Sequence, residues 1–196
     1  MSDNWQTKNT LIQRARQQTD EKAWEEFVTY YRGYITMVVR KISPKHSDEE
    51  DIVQSTLLRI WKQLPKFDIA GQAKFRTWLY ALTRNSLFDY LRKHSKHRQP
   101  GLHNIDGSLE PRSEAEIDEI IGNEWKSHIT RLAMNAVAKQ FSGKAMKVFA
   151  MSMKGCTAKE ISAALELTVD SVYSLKNRVK TLLMQQIQEL RNELEL

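Results

Sequence analysis

Residues 75 to 98 read Phe-Arg-Thr-Trp-Leu-Tyr-Ala-Leu-Thr-Arg-Asn-Ser-Leu-Phe-Asp-Tyr-Leu-Arg-Lys-His-Ser-Lys-His-Arg. Phe75, Trp78, Leu79, Leu82, Ser86 and Tyr90 recur near a 3.6-residue spacing, which predicts an amphipathic helix with one buried face. The opposite face carries Arg76, Arg84, Arg92 and Lys93, interleaved with Tyr80, Asn85 and Phe88. Cations neutralise phosphates, and aromatic faces stack on unpaired bases. Taken alone, this helix reads better as an ordinary core helix with a solvated charged side; its neighbours in the chain reverse that.

Upstream, Trp24, Phe27, Val28, Tyr31, Tyr34, Ile35, Val38 and Ile42 mark one stripe of a helix that should begin near Thr19 and stop near Ser43-Pro44. The first ten residues are polar and are expected to fray. Ser47-Asp-Glu-Glu50 has the form of a capping box opening a second helix to about Leu64. Its buried stripe would be Ile52, Val53, Thr56, Leu57, Ile60, Trp61 and Leu64. The other face shows Asp51, Gln54, Ser55, Leu58, Arg59 and Lys62, with Leu58 a small apolar anchor among polar groups. A loop holding Phe67 and Asp68 leads into the helix of residues 75 to 98.

Gln99-Pro100-Gly101 is a break signal. A linker follows, and the charge then turns acidic from Asp106 to Glu124. Ser113 and Glu116 form a second potential capping box. Ile117, Ile120, Ile121, Trp125, His128, Ile129 and Leu132 make a stripe expected to begin a second folded unit. Thr157 and Glu160, just after Gly155, form a third box opening a short helix to Leu165. Glu166-Leu-Thr168 reads as a tight turn. The closing helix turns Val169, Val172, Val179, Leu182, Leu183 and Ile187 inward, which is helix-turn-helix spacing. Tyr173, Ser174, Lys176, Asn177, Arg178 and Lys180 sit on or beside its outer face, where such groups reach base edges and phosphates.

Composition bounds the alternatives. In 196 residues, 41% hydrophobic content supports packed cores, and a net charge of +6 suits an anionic partner. Four prolines and seven glycines suit a mostly helical chain. No apolar run approaches a membrane span, and Met-Ser-Asp-Asn-Trp lacks the pattern of a leader, so no membrane insertion is expected. Cys156 is the single cysteine; disulfides within the chain and a cysteine-based zinc site are excluded, and a reducing cytoplasm fits. Cys156, Met146 and Met153 are expected in cores. His94, His97 and His103 lack a completing carboxylate, so no metal is expected. Adjacent Glu50 and Asp51 point apart on a helix and do not form a catalytic pair. No phosphate loop or nucleophile elbow occurs, so neither a cofactor nor an enzymatic activity is expected.

Two groups of motifs carry a family resemblance. Glu50-Asp-Ile-Val-Gln54, Arg59-Ile-Trp61, Phe75-Arg-Thr-Trp-Leu-Tyr80, Arg84-Asn85, Asp89 and Leu91-Arg92 closely resemble the second region of bacterial RNA polymerase sigma factors of the extracytoplasmic-function type. Gly155, Thr157, Glu160-Ile161, Leu165, Leu167-Thr-Val169, Val172-Tyr173 and Lys176-Asn-Arg-Val179 resemble the fourth region of the same family. The resemblance runs from about Thr19 to Leu190 and leaves no room for the first and third regions of the larger sigma factors.

The resemblance implies an all-α chain: residues 10–97 as region 2, a flexible linker 98–112, and region 4 with its helix-turn-helix at 113–196. It implies that core RNA polymerase is bound through Asp51, Gln54, Ser55, Leu58 and Arg59. It implies that the melted minus-ten strand of promoter DNA is held by Phe67, Asp68, Arg76, Tyr80, Arg84, Asn85 and Arg92. Thr168, Ser171, Tyr173, Ser174, Lys176, Asn177, Arg178 and Lys180 would read the minus-thirty-five duplex. Members of the family are often held by an anti-sigma factor. The recognition helix departs from the common pattern at Asp170, Ser171, Tyr173 and Leu175, which implies an altered promoter preference. Competing readings are a dimeric helix-turn-helix regulator with an N-terminal sensor, and an adaptor using only the docking face. The acidic stretch 106–124 could be a solvated linker or could lie over the basic face of Arg84 to Arg98 and suppress DNA binding.

Overall fold

The structure, a computed structural model, describes residues 11–44, 47–69, 74–95, 114–141 and 143–194. All regular structure among them is helical: α1 (Leu11–Arg16), α2 (Glu21–Ile42), α3 (Glu49–Gln63), α4 (Phe75–Ser95), α5 (Glu114–Ala138), α6 (Gly143–Met153), α7 (Ala158–Leu165) and α8 (Val169–Leu194), with one 3-10 turn at Leu64–Lys66. The chain divides into two compact units, Met1–His128 with Glu193–Leu196, and Ile129–Asn192.

The first unit is built on α2. Asp20 caps it by accepting from the Ala23 amide at 2.9 Å, and that bond, with Arg14 nearby, holds the Asp20 carboxyl below its ordinary pKa. Pro44 follows its end, where the Ser43 amide donates to the Val39 carbonyl. α2 packs on both α3 and α4, and α3 packs on α4. Aromatic rings fill the space between them. Phe27 and Tyr31 pack at 4.4 Å and both meet Phe75 edge-on, while Trp24 meets Trp61 edge-on at 4.7 Å. Such ring pairs contribute about 0.5–1.5 kcal/mol beyond their buried area.

Four features differ from expectation. α1 was not anticipated: its six residues bury Leu11, Ile12 and Ala15, and Arg14 ties it to α2 through Asp20 and Glu26. The capping box at Ser47 does not form. α3 starts at Glu49 with Asp48 as N-cap and no side-chain cap bond; the Ser47 hydroxyl turns to Asp48, and Glu50 is taken by Arg32. The α5 stripe does not simply begin the second unit. Ile121, Trp125 and His128 are buried within the first, where Trp125 and His128 pack against Tyr34 and Trp125 also stacks on Tyr31. Met153 is 73% exposed instead of core.

In the second unit, Val137, Ala145, Phe149 and Val179 form one buried cluster, and Val148, Ile161 and Val172 form another. Leu175 packs against both, and Cys156 is half-buried beside the latter. The potential capping box at Ser113 and Glu116 lies outside the described side chains.

Candidate polymerase and nucleic-acid interfaces

α3 presents a continuous outer stripe. Asp51, Gln54, Ser55 and Leu58 stand at i, i+3, i+4 and i+7, so they share one face, and all are exposed, Leu58 to 63%. The exposed Lys62 continues the line. Three acids, Glu49, Glu50 and Asp51, open the helix where its dipole favours negative charge. Glu50 accepts from Gln54 at 3.0 Å and from Arg32 at 2.5 Å, and these bonds lower its pKa. Arg59 stands apart from this stripe. It is turned one step round the helix toward α4, where it meets Ser86 and Asp89.

On α4 the anticipated strand-binding residues fall into two places. Arg84, Asn85 and Arg92 line an open groove of about 510 Å³ together with Arg59, Gln63, Leu82, Phe88 and Asp89. The Arg84 guanidinium sits over the Phe88 ring at 4.9 Å, which fixes a cation and an aromatic face side by side. Arg76 and Tyr80 do not line this groove. They lie close enough to Tyr34 to bear on its phenol, whose pKa is pushed up chiefly by burial and further by Tyr80. Asp68 is exposed in the loop before α4. Phe67 is a core residue here, 6% exposed and packed against Phe75 and Trp78 at 5.4 and 5.1 Å. Its ring anchors the loop from below.

Glu124, at the end of the acidic stretch, pairs with Lys41 of α2; residues 106–113 lie outside the described residues. His94 stacks on Tyr90 at 4.0 Å, with Nδ1 2.8 Å from the Tyr90 carbonyl oxygen. His97 and His103 lie outside the described residues. Among those described, no three His, Cys, Asp or Glu gather in a way that could hold a metal.

In the second unit, α7 opens on the Thr157 capping box: the Glu160 amide donates to the Thr157 hydroxyl at 3.3 Å, and the Thr157 amide donates to the Glu160 carboxylate at 2.7 Å. The latter bond lowers the Glu160 pKa. Gly155 precedes it at φ +87°, the left-handed region where a side chain would be strained. After α7 the chain turns through Glu166, itself left-handed at φ 52°, and Thr168 caps α8 by accepting from the Ser171 amide at 3.1 Å. Along α8, Tyr173, Ser174, Asn177, Arg178 and Lys180 are exposed, while Ser171 and Lys176 are half-buried at the flanks. The Arg178 guanidinium lies over Phe141 at 5.9 Å. Asp170 is aligned with Tyr173, Ser174 and Asn177 at i, i+3, i+4 and i+7 and belongs to the same outer face. In the sequence it stood out only as a departure from the family's recognition helix; its helical spacing was the available signal. Phe88, which periodicity places on the basic face, lines the groove; Gln63 was not singled out, because a groove between two helices leaves no periodicity of its own.

Comparison with known proteins adds an independent finding. Residues 27–97 match the family model for sigma-70 region 2. The chain is 23% identical over 189 residues to the ECF RNA polymerase sigma-E factor of Salmonella typhimurium, covering 94% of this chain and 96% of that one. A solved engineered region 2 of sigmaE in complex with GTAAAA is 30% identical, covering 44% of this chain and 86% of that chain, with a TM-score of 0.39. CnrH in complex with the cytosolic domain of CnrY is 18% identical over 91% of this chain and 96% of that one, with a TM-score of 0.36.

Proposed function

The chain belongs to the sigma-70 family of bacterial RNA polymerase sigma factors, in its extracytoplasmic-function branch, and on that premise we propose that its two halves divide promoter recognition between single and double strands. It is not an enzyme. Region 2 falls within residues 10–97 and region 4 within 113–196, its helix-turn-helix part being the second unit, Ile129–Asn192, while the first half of α5 completes the first unit.

The exposed stripe of Asp51, Gln54, Ser55 and Leu58 docks on core RNA polymerase. An apolar anchor within a polar stripe has the composition of a small hot spot with its rim. The α4 face holds the melted minus-ten strand: Asn85 supplies amide recognition, Phe88 and Tyr80 supply stacking, and Arg76, Arg84 and Arg92 hold phosphates. Asp68 borders that strand, with Phe67 anchoring its loop. α8 enters the minus-thirty-five major groove, with Tyr173, Ser174, Asn177 and Asp170 toward base edges. Thr168, Ser171, Lys176, Arg178 and Lys180 flank the backbone. An anti-sigma partner would have to cover the docking stripe or the strand groove.

The observation that carries this reading is the groove of Arg84, Asn85, Phe88 and Arg92, which gathers an amide, an aromatic face and cations beside a docking stripe in a single unit. Size-exclusion chromatography with purified core polymerase tests it. A sigma factor joins core as a monomer; a dimeric helix-turn-helix regulator binds a palindromic duplex and leaves core alone.

A further inference from the structure

Arg59 and Asp89 come from different helices and meet at the groove wall. The Arg59 Nη2 donates to Oδ2 of Asp89 at 2.6 Å, and its Nη1 donates to the Ser86 hydroxyl at 3.3 Å. The second carboxylate oxygen, Oδ1, faces Nη1 of Arg92 at 3.5 Å. One carboxylate thus engages two arginines, one oxygen to each. The side chains are 36% exposed for Arg59, 47% for Asp89 and 78% for Arg92, so the cluster is open to an incoming anion.

Guanidinium groups converging on two oxygens of one anion is also how a phosphodiester is bound. Resting on the reading of this groove as a single-strand site, we infer that Asp89 occupies the place of a strand phosphate and competes with it, and that Arg59 belongs to this phosphate site and not to the polymerase-docking stripe. The carboxylate lowers the positive field that any strand meets at Arg59, Arg84 and Arg92. A strand held by its backbone alone must displace Asp89 with nothing else gained. A strand whose bases also engage Asn85 and Phe88 has contacts that do not depend on that exchange. Displacing Asp89 costs every strand alike, so the carboxylate lowers strand affinity across the board, and discrimination stays with the base contacts at Asn85 and Phe88. The exposed ion pair is weak enough for a phosphate to replace it.

The test uses the full chain and a labelled oligodeoxythymidine of about twelve nucleotides, within the range of known single-strand sites, titrated by fluorescence anisotropy at several salt concentrations. Asp89→Asn is expected to bind this oligonucleotide about three- to tenfold tighter at low salt, with a log–log salt slope steeper by about 0.7 for each arginine released to a phosphate. Adding Arg59→Ala to that variant should remove the gain. Arg59→Ala alone should keep core polymerase affinity within about twofold, well under a tenfold loss of about 1.4 kcal/mol. Unchanged or weaker oligonucleotide binding by both Asp89→Asn and Asp89→Ser, with helix content retained by circular dichroism, would overturn the role of Asp89. A tenfold loss of polymerase affinity in Arg59→Ala would return Arg59 to the docking stripe. Failure of the wild-type chain to bind polymerase would fault the sigma-factor reading instead, while the oligonucleotide comparison still decides the role of Asp89.

Discussion

Trp125 stacks on Tyr31, their ring centroids 5.8 Å apart and their planes 22° from parallel. The contact makes the first half of α5 part of the unit that carries the strand groove. Tyr31 is fixed from another side as well, its hydroxyl donating to the Leu194 carbonyl at 3.0 Å. Two segments far along the chain therefore complete the core around α2.

Trp125 is 1% exposed, so removing its ring leaves a large cavity. Trp125→Ala is expected to destabilise the first unit by about 3–5 kcal/mol, with Trp125→Phe costing less. Urea denaturation followed by circular dichroism measures this. A loss under about 1 kcal/mol would mean that α5 contributes little there.

Leu58→Glu and Asp51→Lys should each weaken capture of core polymerase by tenfold or more, about 1.4 kcal/mol. Both side chains are exposed, so far-UV circular dichroism and melting should match the parent. Undiminished pull-down by core polymerase would remove the docking role from this stripe.

Tyr80→Ala and Arg178→Ala should separate the two halves of promoter recognition. The former should slow opening, read by permanganate reactivity of unpaired thymines, while sparing binding to closed duplex. The latter should cost about 1–3 kcal/mol in duplex affinity. Equal loss of duplex binding in Tyr80→Ala would contradict the assignment of α4 to opened strands.

The start of α7 should be pH-sensitive through Glu160. Its carboxylate accepts from the Thr157 amide, which lowers its pKa from the ordinary value of 4.5. A depressed acid contributes stability above its unfolded pKa and loses it as pH falls through the folded value. Thermal melts should show a plateau above that range and a decline below it, and Glu160→Gln should flatten the decline. Thr157→Ala, which removes the side-chain cap and the hydroxyl's bond to the Glu160 carboxylate at 2.9 Å, should cost about 1 kcal/mol near neutral pH and less once Glu160 is protonated.

Much of this was legible in the sequence because local rules applied without interference. α4 begins at Phe75, and α3 and α8 present the outer faces that their periodicity implies. The Thr157 box formed because its two members lie within one turn and have no competitor. The Ser47 box had the same signature and failed, because Arg32, on another helix, takes Glu50. Periodicity showed that Trp125 is buried but could not name Tyr31 and Tyr34 as what buries it. The family resemblance grouped Phe67 with the strand-binding residues, and no local pattern shows that Phe75 and Trp78 enclose it. α1 escaped notice because six residues give too little pattern to count. The Arg59–Asp89 pair joins residues 30 apart on two helices, and no local pattern encodes such a meeting.

Run-off transcription with purified core RNA polymerase over fragments of the source genome tests the central claim most directly. The account expects discrete start sites that appear only when this chain is added and that share two upstream elements, the nearer lost with the α4 groove variants and the farther with the α8 variants. Absence of any chain-dependent transcript, together with dimeric binding to a palindromic duplex without polymerase, would contradict it.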